Sequence, residues 1–258
     1  MRVLALILAL CGSGWAAEVP GIQELLRNTG RAVESFWSQF SAVNCRELVA
    51  QAKLDNSGKV VQHTDSTYDY LVLMRQKEEN LVVEESRVAA PQPGGKAVAK
   101  TPLLVTNGFS TFLLIFHPLF QHSYEFSKPV QEEQGGRSVL RVDFRQIRNA
   151  RAPSCLRLRG HDYPLEWVGS AWIDTRSWAV VKISAALGSS MEDLGLKSLN
   201  AEVTYSPVKF GDGAGEQWLP AVATIEASTP LQRWRNTHRF TDYKHFSVDT
   251  STKTELPQ

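Results

Sequence analysis

Apolar and polar positions change period several times along the chain, and each change marks an element. Between Pro20 and Phe40, Leu25, Leu26, Val33, Phe36, Trp37 and Phe40 recur at helical spacing, which predicts an amphipathic helix. Pro20 suits its first turn. From Cys45 the period falls to two. Thr67 to Met74 alternates, with Tyr68, Tyr70, Val72 and Met74 on one side, and Asn80 to Val88 is a second extended run. Asn56-Ser57-Gly58 is a turn signal within this region, and Pro91-Gln92-Pro93-Gly94-Gly95 continues neither strand nor helix.

The period changes again at Phe109 to Phe120. Phe109, Phe112, Leu113, Phe116 and Phe120 share one helical face, and Leu114, Ile115 and Leu119 fill most of the rest. A helix this apolar is expected to be buried or to touch an apolar ligand, with Pro118 distorting its end. Extended runs then follow: His122 to Gln131, Ser138 to Ile147, Trp167 to Asp174, Trp178 to Leu187, Leu199 to Tyr205, Gln217 to Ala227 and Arg233 to Val248. Gln134-Gly135-Gly136 marks a hairpin turn. In the last run, Trp234, His238, Phe240, Phe246 and Val248 fall on one side.

Short connections favour an antiparallel meander. The fold class is therefore α+β, mainly antiparallel β. It is a single curved sheet of about ten or eleven strands covered by two or more helices, because a flat sheet of that width exposes too much edge and face. No internal repeat is present.

The first residues follow another logic. Met1-Arg2 precedes an apolar run, Val3 to Leu10, and then the small and turn-prone Cys11-Gly12-Ser13-Gly14-Trp15-Ala16-Ala17. This order predicts a secretory signal peptide over residues 1–16, since cleavage after Ala16 places Ala16 and Gly14 at the two positions that must be small. The run is shorter than the roughly 20 residues that span a bilayer. A second reading makes Cys11 a lipidation site; Leu10 just before it favours soluble export. Residues 17–258 then form one domain, of about 240 residues, large enough for a substantial core, in the periplasm or outside the cell.

Three further observations restrict the chemistry. The formal net charge is +1, which gives no reason to expect nucleic acid as a partner. No later segment is long and apolar enough to be a transmembrane helix. Export places Cys45 and Cys155 in an oxidising compartment, where a disulfide between them and two free thiols are both open, the disulfide being favoured.

No catalytic arrangement emerges. Gly108-Phe109-Ser110-Thr111-Phe112 lacks the final glycine of a nucleophile elbow. The histidines His63, His117, His122, His161, His238 and His245 lack zinc-motif spacing, so neither metal nor cofactor is expected. The pairs Glu78-Glu79, Glu84-Glu85 and Glu132-Glu133 point to opposite strand faces and read as solvated charge. Arg137, Arg141, Arg145, Arg148, Arg151, Arg157 and Arg159 form a denser basic stretch. It reads as the wet face of a strand or as a site for an anion such as lipid phosphate. Trp167, Trp172, Trp178, Trp218 and Trp234 lie on later strands and serve either as core or as the lining of an acyl-chain cavity.

Two stretches resemble a known family. Gly169-Ser170-Ala171-Trp172-Ile173-Asp174 running on to Val180-Val181-Lys182-Ile183 is one; Trp218-Leu219-Pro220 with Phe240-Thr241-Asp242-Tyr243-Lys244-His245-Phe246 is the other. Both are similar to the hairpin and closing strands of the LolA/LolB lipoprotein-carrier superfamily, over roughly Trp167 to Val248. The resemblance implies an open antiparallel half-barrel with helices over its mouth and a hydrophobic cavity between. It implies a non-enzymatic protein that binds a lipid, an acyl chain or a lipoprotein. Phe109, Phe112, Phe116, Trp172, Trp178, Trp218 and Trp234 would line that cavity. The alternative is an envelope interaction or regulatory protein with no small ligand and a protein partner.

Overall fold

A computed structural model describes residues 19–40, 43–77, 80–90, 109–151, 153–158, 160–210 and 216–245. The signal-peptide segment, Cys11, the Pro91–Gly95 stretch, Phe246 and Val248 lie outside them. Helix α1 spans Ile22–Phe40. The strands are β1 (Val43–Leu54), β2 (Val60–Lys77), β3 (Asn80–Ala89), β4 (Tyr124–Phe126), β5 (Val130–Gln134), β6 (Arg137–Gln146), β7 (Cys155–Leu158), β8 (His161–Pro164), β9 (Trp167–Asp174), β10 (Val180–Leu187), β11 (Ser198–Lys209), β12 (Glu216–Ser228) and β13 (Arg233–His245).

Eleven of these strands form one open antiparallel sheet in the order β3-β2-β1-β13-β12-β11-β10-β9-β6-β4, with β5 also pairing with β6. The N-terminal hairpins thus dock on the last strand of the meander, through β1 and β13. The predicted strand from His122 to Gln131 is broken, because Ser127 to Pro129 is irregular between β4 and β5. The strands of the separate β7–β8 hairpin have four residues each, too short for the alternation of Leu156 and Leu158 to predict a strand.

Turn chemistry fixes the register. Asp55 Oδ1 accepts from the backbone N–H groups of Ser57 and Lys59 at 2.9 Å each, and Gly58 takes the left-handed φ of 84° that closes the β1–β2 turn. Gly135 and Gly136 both have positive φ, as a two-residue hairpin turn requires.

The predicted apolar helix is tighter and shorter than its pattern suggests. Phe109–Phe116 is a 3₁₀ helix, and the four residues Pro118–Gln121 form α2. Phe112, Leu113, Leu114, Ile115 and Phe116 are all buried, so nearly the whole circumference is packed. A stripe would have served an α-helix lying on a surface; a segment apolar on every side is a plug. Each such side chain contributes roughly 1.5–3 kcal/mol on burial. The helical cover of the sheet is correspondingly slight: α1, the 3₁₀ segment and α2.

The predicted disulfide is not formed. Cys45 is buried on β1 and Cys155 is exposed on β7, both as free thiols. They belong to different sheets, and burial pushes the Cys45 thiol up to about 12, which makes it unreactive.

Candidate functional site

The buried face of the sheet changes character along its width. One row of paired residues runs Val142, Ala171, Ile183, Val203, Ala223, His238, Val49, Ser66. The next runs Phe144, Gly169, Ala185, Ala201, Ile225, Asn236, Gln51, Thr64. From β6 to β12 both rows are apolar; from β13 onward they turn polar, with Val49 as the exception. The 3₁₀ plug packs on the apolar part. Phe112 meets Trp167 at 5.1 Å between ring centroids, and Phe116 meets Phe126 at 5.6 Å and Phe144 at 6.5 Å.

A cleft of about 330 Å³ opens beside this plug. Its apolar lining is Ala32, Val33 and Phe36 of α1, Leu113 of the plug, Ala179 and Val180 at the start of β10, and Trp218 of β12. Its polar members are Ser35, Ser177, Glu216 and Gln217. Two local features hold these walls. Gln121 Nε2 donates to Leu26 O at 2.8 Å and to Phe116 O at 2.7 Å, tying α1 to the plug. Gly30 permits that approach, since a Cβ there would lie 2.9 Å from Gln121 Nε2. On the opposite wall, Asp174 Oδ1 accepts from the backbone N–H groups of Arg176 and Ser177 at 3.0 and 2.8 Å. This turn sets Ser177 and Ala179 facing the cleft.

The residues expected to line a cavity are dispersed. Phe112 and Phe116 are core, with Phe116 fully buried. Phe109 begins the 3₁₀ helix, and its side chain lies outside the described ones. Trp178 sits in the β9–β10 turn with a left-handed φ of 58° and packs on the core. Trp218 lines the cleft. Trp234 faces the buried side but lies in the polar half, opposite Lys53. Trp172 is on the other face: its indole N–H donates to Glu132 at 2.9 Å, and Lys182 stands 5.1 Å from its ring. Alternation puts Trp172 outward because Ala171 and Ile173 point into the core.

Two arginines of the basic stretch are neutralised by carboxylates. Arg141 pairs with Glu132 and Asp143 at 2.7 Å each, and Arg157 with Asp162 at 2.7 Å. Glu132 is therefore bonded rather than merely solvated. Glu85 also departs from that expectation, since its side chain is 5 % exposed and lies 3.4 Å from Arg87.

The sequence reading missed the buried ion cluster of the polar half. Glu47 of β1 is fully buried. Arg87 of β3 donates to it through Nε at 2.5 Å and Nη2 at 2.9 Å. His238 of β13 lies on the same carboxylate, with Nδ1 2.8 Å from Oε1. Burial pushes the Glu47 carboxyl up, but the hydrogen bonds from His238 and Arg87 outweigh this and hold it below the usual range. An ionised carboxylate only accepts, so His238 Nδ1 carries the proton it donates. Burial keeps the imidazole below its ordinary pKa despite Glu47. Alternation from Cys45 carries Glu47 to the inward side, and that was the available signal.

No family model matches the sequence, and no curated protein matches it. Three solved structures are similar. A LolA superfamily protein from Nitrosomonas europaea is 14% identical, with a TM-score of 0.41, covering 89% of this chain and 96% of that one. A domain assigned to outer membrane lipoprotein sorting, from Vibrio parahaemolyticus, is 8% identical with a TM-score of 0.44, covering 86% and 92%. A DUF1329 family protein from Desulfovibrio piger is 9% identical with a TM-score of 0.45, covering 89% and 95%. Each of these likenesses extends over most of both chains.

Proposed function

We propose that this is a non-enzymatic binding protein for the apolar chain of a lipid or lipoprotein, acting outside the cytoplasm, and that the chain enters the cleft between α1 and Trp218. The cleft carries the reading. At about 330 Å³ it lies within the range of small-ligand pockets, which are mostly apolar with a few polar groups. One wall, Leu113, belongs to the plug, so the site borders the segment that fills the sheet. In this reading the open sheet is a half-barrel whose interior is largely occupied by its own chain, leaving the mouth as the binding site. The residues at the chain's start support export, and the motifs from Trp167 onward support a carrier-like role. The buried titratable groups offer little for catalysis, because both Glu47 oxygens are already engaged.

The test is a titration of the delipidated protein with a fluorescent long-chain fatty acid. Saturable binding is expected, and Ala32→Trp, which fills the cleft, should abolish it without lowering the melting temperature. The filled interior favours one other reading, an envelope interaction protein with no small ligand. Non-saturable binding, or binding unchanged by Ala32→Trp, would favour that alternative.

A further inference from the structure

Beside the cleft are two arginines that pair with no carboxylate among the described residues. Arg137 opens β6, and its guanidinium carbon stands 5.2 Å from the centroid of the Trp218 ring. Trp218 lines the cleft, so the cation is held at the opening by its attraction to the ring. Arg176 lies in the β9–β10 turn, directly before the cleft residue Ser177. The two are register neighbours: Val139 pairs with Asp174, and Thr175 N donates to Ser138 O at 3.3 Å. Both side chains are exposed. Neither forms an ion pair with a carboxylate among the described residues, in contrast to Arg141 and Arg157.

From this juxtaposition of an apolar cleft and two uncompensated guanidinium groups, we infer that the ligand is a single-chain amphiphile with an anionic head, its tail in the cleft and its head on Arg137 and Arg176. The inference rests on the cleft reading above and adds the chemistry of the head. Guanidinium forks match carboxylate and phosphate alike, so the shared chemistry is a compact oxyanion. Glu216 also lines the cleft. It lies two residues before Trp218 on β12, and the two guanidinium groups outnumber this one lining carboxylate.

The experiment displaces a neutral fluorescent probe from the delipidated full chain with hexadecanol, hexadecanoate or hexadecyl phosphate. Both anions should bind about tenfold more tightly than the alcohol, a difference of about 1.4 kcal/mol, and the better anion identifies the preferred head. The Arg137→Gln/Arg176→Gln double variant should bring the anions down to the alcohol's affinity and leave the alcohol unchanged. Equal affinities for all three ligands in the unaltered protein, with Ala32→Trp still blocking them, would overturn the anionic head while sparing the cleft. An anion preference that survives the double variant would overturn the assignment to these arginines. Failure of all three ligands to displace the probe would sink both readings.

Discussion

The two halves of the buried face use the same strand alternation to opposite ends. Across β6, β9, β10, β11 and β12 the inward positions are Val142, Ala171, Ile183, Val203 and Ala223, each with no exposed surface. Across β13, β1, β2 and β3 they include His238, Glu47, Tyr70 and Arg87, joined by hydrogen bonds and by the Arg87 guanidinium 4.7 Å from the Tyr70 ring centroid. The dry half is held by packing, whose loss scales with the volume removed. The polar half adds to its own buried apolar residues, among them Val43, Val72, Met74 and Phe240, an ion cluster whose members are costly when left alone and cheap to replace together. The halves therefore respond differently to substitution, and that difference is measurable.

The largest effect should come from breaking the cluster on one side. Glu47→Ala leaves the Arg87 guanidinium partly buried without its main partner, and we expect a loss of roughly 3–5 kcal/mol in urea unfolding. The concerted replacement Glu47→Leu/Arg87→Met/His238→Leu should recover most of that stability. If the triple variant is as unstable as the single one, packing rather than charge governs this half. The dry half should behave in the reverse way. Phe116→Ala is expected to cost about 3–5 kcal/mol and Ile183→Ala about 2–5 kcal/mol, with no second substitution nearby restoring it. At Gly169 a Cβ would collide with the backbone of Ser184 and Ala185, so Gly169→Val should prevent soluble expression.

Acidity acts on a buried histidine in each half. Burial holds His238 below its ordinary pKa, and burial likewise lowers His117, against the attraction of Glu34. His117 Nδ1 accepts from Leu119 N at 3.2 Å and so caps α2 in its neutral form. Unfolded histidines titrate near pH 6.5, so below that pH the unfolded chain binds more protons than the folded one. Stability is then complete above pH 6.5 and falls as the pH drops through the lower folded values. The lowered Glu47 adds a further loss below its ordinary value of 4.5. Urea midpoints at neutral and mildly acid pH should differ, and His238→Gln should narrow the gap; equal midpoints in the parent protein would contradict this. The smallest effect is reserved for the outward face. Arg157→Ala removes an exposed pair with Asp162 and should leave the melting temperature unchanged.

The contrast also explains which parts of the fold were legible in the sequence. β9 and β10 announce themselves, because apolar side chains alternate toward a dry interior and a turn centred on Asp174 separates them. The Gln134-Gly135-Gly136 turn is equally plain, since only glycine readily takes two consecutive left-handed conformations. The polar half was not legible in the same way. Glu47, Gln51 and Asn236 are inward residues that a hydrophobic pattern assigns to solvent, and only the pairing of β1 with β13 reveals what they face. Trp172 misled for the converse reason: its size suggests a lining residue, while the parity of β9 turns it outward onto Glu132. The Phe109–Phe116 pattern gave burial correctly but not its consequence. Apolar on all sides, the segment occupies the cavity that it was expected to cover, and Trp218 is the expected lining residue placed at the cleft that remains.

The central claim is that the ligand lies at the mouth of the dry half, against α1 and Trp218, and not in the polar half. A photoactivatable fatty acid, cross-linked to the delipidated protein and mapped by mass spectrometry, tests this directly. The account predicts saturable labelling of the peptides carrying Ala32–Phe36 and Trp218, competed by unlabelled fatty acid. Labelling concentrated near Glu47, Arg87 and His238, or scattered without competition, would contradict it.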